Sequence, residues 1–185
     1  MNKRINLPLR CCLPYIADME TLTQKLKEGI AAWSERQGFC LRDKKLVLAV
    51  SGGSDSVAML ALFNEIASDN NLELSVLHIN HGIRDEAKED EQYVSNLSAR
   101  LGLPFILRTI ELGDSSIEAM ARKKRYEIYQ SVGEEIGGDI PLAHTANDQV
   151  ETVLFNMFRG TGPRGLDGMP FHRELSDGVS IFRPL

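Results

Sequence analysis

The sequence predicts an α/β fold: a five-stranded, mostly parallel sheet with helices on both faces. Three observations predict it. Short apolar runs of strand length alternate with segments of helical periodicity along most of the chain. Clusters of Gly, Ser, Asn and Pro mark the junctions. The stretches SGGSDS, HINHGIR and AHTAND each follow an apolar run, which places them beyond the carboxyl ends of strands, where parallel sheets bind their ligands.

Taken in order, residues 1 to about 17 read as a loose arm. From Asp18 to about Gln37, Leu22, Leu26, Ile30 and Trp33 recur at helical spacing and Gly38 is a stop. Lys45–Val50 is the first strand, and the apolar stretch Val57–Ile66 is a helix buried against the sheet. Leu72–Ile79 is the second strand. The segment DEAKEDEQYVSNLSARLG is a helix whose acidic first turn suits its dipole and whose acids read as a solvated face. Pro104–Ile110 is the third strand. A long helix follows, opened by Ser115 or Ser116 with Glu118 in its first turn. Ile140–His144 is the fourth strand, and the next helix is capped by Asn147 and stopped by Gly160. TGPRGLDGMP is a loop, and Val179–Phe182 is the fifth strand. Trp33, Phe155 and Phe158 read as core. No internal repeat is present.

The bulk numbers agree with one globular domain: 185 residues, 43% hydrophobic, net charge −5. Nothing in that total indicates nucleic acid, although a net charge conceals local basic faces. Cys11, Cys12 and Cys40 are an odd set without metal-ligand spacing, so neither a disulfide scaffold nor a zinc site is expected. No apolar run reaches the roughly 20 residues of a membrane span. Arg10 and two prolines interrupt the N-terminal stretch, which excludes a signal peptide and leaves the cytoplasm as the expected compartment.

The stretch LVLAVSGGSDSVAML carries the chemistry. A strand-to-helix turn through Ser51, Gly52, Gly53, Ser54, Asp55 and Ser56 offers main-chain N–H groups and the positive end of a helix, which together cradle an anion. The glycines let a phosphate approach the main chain. GxxxxGK[ST] and GxGxxG are both absent. Asp55 places a carboxylate inside an anion site, an arrangement that Mg²⁺ between carboxylate and phosphates relieves.

SGGSDS after an apolar strand resembles the loop of the N-type ATP pyrophosphatases, the PP-loop superfamily, which cleave ATP between the α and β phosphates. Further stretches, LHINHGIRDEAKEDEQYV, EAMARKKRY, LAHTANDQVETVLFNMFRGTGPRGLDGM and the final RPL, resemble those of tRNA(Ile)-lysidine synthetases, from about Lys45 to Leu185. The resemblance implies an adenine nucleotide alpha hydrolase-like (Rossmann-like) fold over 18–185. It implies ATP and Mg²⁺ as cofactors, tRNA(Ile) and free lysine as partners, and a homodimer as an open possibility. The reaction implied is adenylation of the C2 oxygen of the wobble cytidine, then displacement of AMP by the lysine ε-amine. Thr145 stands where that family commonly has a second histidine, Asn147 where an aspartate is common, and Pro163 replaces a less rigid residue. Family members usually continue into tRNA-binding subdomains, so this stretch alone is expected to bind tRNA weakly and show little activity.

Within that resemblance, Ser51 to Ser56 would bind the departing diphosphate, and Asp55 and Asp148 would share Mg²⁺. His144 would act as a positively charged donor to the α-phosphate, and Glu151 would position or deprotonate the lysine amine. Asp148 and Glu151 are three apart, on one helical face. Of the consecutive cations Arg122, Lys123, Lys124 and Arg125, Arg125 beside Tyr126 is the candidate for phosphate or cytidine contact; the others meet RNA phosphates or solvent. Arg159 and Arg164 flank a Gly/Pro loop and have a lid-like role or merely a linker role. His78 and Asn80, at the end of the second strand, would contact adenine through the main chain, or are packing and capping residues, as is His81. Two alternatives stand beside this reading: a related enzyme with another acceptor, and a nucleotide-binding module without catalysis. The cytidine-thiolating relatives use cysteine pairs, and this chain has no cysteine after Cys40.

Overall fold

The computed structural model describes residues 24, 25, 27–30, 32, 34–36, 38–80, 86–110, 117–162 and 166–185. The expected N-terminal arm, the start of the first helix and Trp33 lie outside them. Helix α1 comprises the described helical residues between 24 and 36, and Gly38 ends it in the left-handed region at φ 63°, as expected. The elements that follow are β1 (Lys45–Ala49), α2 (Ser54–Asn70), β2 (Glu73–Asn80), α3 (Glu86–Leu101) and β3 (Phe105–Thr109). Then come α4 (Ile117–Ile136), β4 (Ile140–Pro141), α5 (Ala146–Phe158), β5 (His172–Ser176) and β6 (Val179–Phe182).

The alternation of strand and helix produces parallel pairing, as expected, but not one five-stranded sheet. The strands form two three-stranded sheets, one parallel in the order β1-β2-β3 and one mixed in the order β4-β6-β5. They meet at a single parallel bridge between Leu46 and Asp139. Asp139 N–H donates to Lys45 O (3.0 Å) and Val47 N–H to Asp139 O (2.9 Å). Alternate residues of a strand present their N–H groups to the same neighbour, so the next donor toward β1 would be residue 141, which is proline. Pro141 therefore ends the ladder after one rung. At that seam the backbones approach so closely that a Cβ on Gly138 would stand 2.8 Å from Lys45 O.

The sixth strand, β5, was not expected. It pairs antiparallel with β6 across a two-residue turn, Asp177-Gly178, with Gly178 at φ 80°.

The two faces of each strand supply two cores, and helices cover both faces as expected. Leu46 and Leu48 of β1 and Leu74 and Val76 of β2 pack with Met59, Leu60, Phe63 and Ile66 of α2 and Val94 of α3. Val47, Leu77, Ile140, Leu142 and Ile181 pack with Tyr129 and Val132 of α4. Burying each such side chain stabilises the fold by about 1.5–3 kcal/mol.

Helix α5 departs from this pattern, because it contains no buried residue. Phe155 and Phe158, expected in the core, are 53% and 88% exposed. Their helical spacing is real, but no element among the described residues covers that face. The N-cap of α5 is Thr145, not Asn147.

Candidate active site

The bend between β1 and α2 is built on a fixed root. Val50 is buried, and its carbonyl accepts a hydrogen bond from Nδ1 of His78 (2.8 Å), itself 3% exposed. A carbonyl only accepts, so Nδ1 carries the proton. The His78 ring thus lies beneath the bend as a packing group, in line with the packing reading; the adenine reading concerns the main chain of this strand end. Asn80 is also engaged, donating from Nδ2 to Glu91 Oε2 (2.7 Å). His81 lies outside the described residues.

The bend itself is open. Ser51, Gly53, Ser54 and Asp55 are exposed. Gly52 sits at φ 99°, and a Cβ there would lie 3.0 Å from Asp90 Oδ1, so only glycine fits without strain. Ser56 is the exception among the expected phosphate donors. Its buried hydroxyl donates to Gly53 O (2.8 Å) and accepts from Ser51 N–H (3.2 Å), which makes it an internal brace. Ser51 Oγ in turn accepts from Gly53 N–H (3.3 Å). The N-cap of α2 is Gly53, and no side chain caps that end. The N–H groups of the first turn therefore have no acceptor within the helix and face outward with the positive end of its dipole.

A cavity of about 320 Å³ lies against this bend. Asp55, Arg122, Arg125, Tyr126, His144 and Asp148 line it with the loop residues. Asp55 and Asp148, expected to share Mg²⁺, line one cavity. Among the described residues no group of three or more His, Cys, Asp or Glu side chains forms a metal cluster. The two carboxylates are hard oxygen donors suited to Mg²⁺, whose remaining coordination positions would fall to phosphate oxygens and water.

Asp148 is partly committed. Its Oδ2 accepts from Thr145 N–H (2.6 Å) and Thr145 Oγ1 (3.0 Å), the reach-back arm of a capping box. The Thr145 N–H bond holds the Asp148 carboxyl below the usual carboxylate range. Glu151, one turn on, is exposed and lines a neighbouring cavity of about 560 Å³. Arg122, Tyr126 and Met169 border both cavities.

His144 differs from expectation. Its Nδ1 accepts a hydrogen bond from Arg183 Nε (3.0 Å), which a protonated ring could not do. Burial and then the Arg183 charge push its pKa below the ordinary 6.5. With Nδ1 engaged as an acceptor, the geometry does not suit the positively charged donor expected from the sequence. The positive charge comes from elsewhere. Arg122 and Arg125 line the cavity, and buried Arg125 Nε has no hydrogen-bond partner among the described residues. Lys123 pairs with Glu127 at the surface (3.8 Å), as a solvated cation does. Arg159 stacks on Phe155 at 4.0 Å, at the exposed end of α5 and outside the residues lining the cavity; Arg164 lies outside the described residues.

Sequence reasoning missed Arg183. It appeared only within the terminal RPL stretch, yet it is buried between His144, Pro170 and Tyr126. The DG turn that folds β5 onto β6 was the available signal that this stretch returns to the sheet.

A family model of the PP-loop domain matches residues 19–185. The chain belongs to the PP-loop family. It is 40% identical over 149 residues to a tRNA(Ile)-lysidine synthase of Clostridioides difficile, covering 76% of this chain and 31% of that protein. It is 36% identical over 166 residues to one of Coxiella burnetii, covering 88% of this chain and 35% of that protein. This PP-loop chain thus spans about a third of the length of the curated relatives it matches. Among solved structures it is similar to the U34-tRNA thiolase NcsA from Methanococcus maripaludis, with TM-score 0.73 and 19% identity over 90% of this chain and 60% of that one. It is also similar to a glutamine-dependent NAD+ synthetase from Acinetobacter baumannii, with TM-score 0.51 and 16% identity over 78% and 28% of the two chains. These two establish the fold alone.

Proposed function

We propose that residues 18–185 are the catalytic domain of a tRNA(Ile)-lysidine synthase acting in the cytoplasm. The observation that carries this reading is one cavity in which the uncapped N-terminus of α2, behind Gly52 and Gly53, meets Arg122, Arg125 and His144. A triphosphate is the ligand such a cradle suits.

In the proposed reaction, the C2 oxygen of the wobble cytidine attacks the α-phosphorus of ATP. The O–P bond forms, the α–β bridge breaks, and pyrophosphate leaves. The ε-amine of lysine then attacks C2, the C2–O bond breaks, AMP carries the oxygen away, and the amine proton passes to a base. The first-turn N–H groups of α2 hold the β and γ phosphates. Arg122 and Arg125 neutralise charge on the α-phosphate in the transition state. Glu151, which lines the adjoining cavity, would orient the lysine ammonium and take its proton. Asp55 and Asp148 would hold Mg²⁺, which supplies Lewis-acid polarisation of the phosphates when bound. Among the described residues no helix is long and apolar enough to cross a membrane.

The test is to incubate the chain with ATP, Mg²⁺, lysine and a tRNA(Ile) bearing a CAU anticodon, and to follow AMP and pyrophosphate. Lysine-dependent AMP release, however slow, supports the reading. AMP release indifferent to lysine favours another acceptor, and ATP binding without pyrophosphate release in a full-length parent protein favours a binding module. Asp55→Asn is expected to abolish Mg²⁺-dependent turnover; wild-type rates in that variant would exclude a metal there. A thiolating activity is disfavoured by Cys40, the one cysteine among the described residues, which is exposed and lines a different cavity.

A further inference from the structure

We propose that Arg183 is a positioning residue that locks His144 as the neutral Nε2–H tautomer. Arg183 is 7% exposed and follows directly on β6, where its backbone N–H bonds Phe171 O (3.1 Å). Its guanidinium donates from Nε to His144 Nδ1 (3.0 Å), from one terminal nitrogen to Pro170 O, and from the other to the Tyr126 hydroxyl (3.4 Å). None of the three acceptors is a carboxylate. A buried arginine that served packing alone would be expected to meet a carboxylate, because an unpaired buried charge is strongly unfavourable. No carboxylate pairs with Arg183 among the described residues.

The guanidinium never gives up its proton, so the Nε–Nδ1 bond has one direction only. Nδ1 must be bare, and the single ring proton of His144 must sit on Nε2. His144 lines the nucleotide-side cavity, so it presents there an N–H donor of fixed tautomer without positive charge. The guanidinium one bond away holds the ring neutral and carries the charge itself. Tyr126 fixes the other side of that guanidinium, and Arg122 and Arg173 stack on the same ring at 5.6 and 5.0 Å. The work is thereby divided: arginines supply charge, and His144 supplies a directional hydrogen bond to whatever occupies the cavity. The tautomer itself does not depend on the proposed reaction; only the identity of the group it meets does.

The experiment is a long-range ¹H–¹⁵N NMR correlation on the ¹⁵N-labelled chain, which distinguishes the two neutral tautomers from the imidazolium. At about pH 7.5 the His144 ring is expected wholly as Nε2–H, because Arg183 occupies Nδ1. Arg183→Met, which keeps the chain length without a donor, is expected to give a tautomer mixture or partial imidazolium, and Arg183→Lys to return part of the Nε2–H form. In the lysine-dependent AMP assay, Arg183→Met is expected to lower kcat by about 10- to 100-fold with KM for ATP changed little, the pattern of a lost orienting contact. A wild-type ring found as Nδ1–H or imidazolium overturns the proposal, as does an unchanged tautomer in folded Arg183→Met. If that variant does not fold, the wild-type spectrum decides alone. The expected tautomer together with no AMP release by a full-length parent protein would count against the proposed function and leave the role of Arg183 standing.

Discussion

Asp148 bears on both stability and site chemistry, because the oxygen it lends to Thr145 is tied into the first turn of α5. Thr145→Ala removes that cap and is expected to destabilise the chain by about 1 kcal/mol in denaturant unfolding. The Asp148 pKa lies below its ordinary 3.8 in the folded state, so its contribution is complete above that value and is lost as pH falls through the lowered one. The stability gap between wild type and Asp148→Asn should therefore close in strong acid. His144 titrates with the same sign at a higher pH, because it too is more acidic when folded. Its contribution is complete above 6.5 and fades as pH falls below. Gly52→Ala would force a side chain into a left-handed conformation facing Asp90, with strain of about 1–3 kcal/mol. Calorimetry with a non-hydrolysable ATP analogue is expected to show affinity reduced about tenfold or more. At this scale the sequence was legible wherever function is local. Gly52, Asp55 and the open bend are consecutive, and their spacing states their chemistry. Arg183 was not legible, because its partner His144 lies 39 positions away and only the fold unites them. His78 carries two readings, and only the fold shows its ring turned inward beneath the bend.

Asp139 marks what the element scale adds. Its Oδ1 accepts from Ser180 N–H (3.0 Å) and Ser180 Oγ (2.7 Å), and its Oδ2 from Lys44 Nζ (2.5 Å). One side chain thus ties the lead-in of β1 and the centre of β6 to the start of β4. Asp139→Ala leaves a buried N–H without an acceptor and is expected to destabilise by about 3 kcal/mol, measured by urea unfolding. A loss below about 0.5 kcal/mol would mean that the seam does not need it. The five strands with strong apolar character were legible from their runs. β5 was not, because HRELS is a polar edge strand that needs no apolar face toward a core. The division of the sheet was also hidden. It depends on which neighbour the missing N–H of Pro141 would have faced, and periodicity does not encode that.

The whole molecule separates its aromatic residues sharply. Phe182 is fully buried, with ring centroids 4.7 Å from Phe39 and 6.3 Å from Phe63. Phe158 is 88% exposed. Phe182→Ala is expected to cost about 3–5 kcal/mol in unfolding free energy. Phe158→Ser is expected to stay within about 0.5 kcal/mol. Comparable losses at both sites would show that α5 is packed in solution. The order of layers was legible from alternating strands and helices, since that pattern admits few topologies. The seam carries a consequence for motion. The bend between β1 and α2 rides on one three-stranded sheet, and His144 and Arg183 ride on the other. A nucleotide that touches both halves acts as a staple across a joint where the sheets share one main-chain rung, the Asp139 side chain and a common apolar core. Deuterium uptake at Val47 and Asp139, the amides on either side of that rung, should slow on ATP addition more than uptake at the far edge along β3.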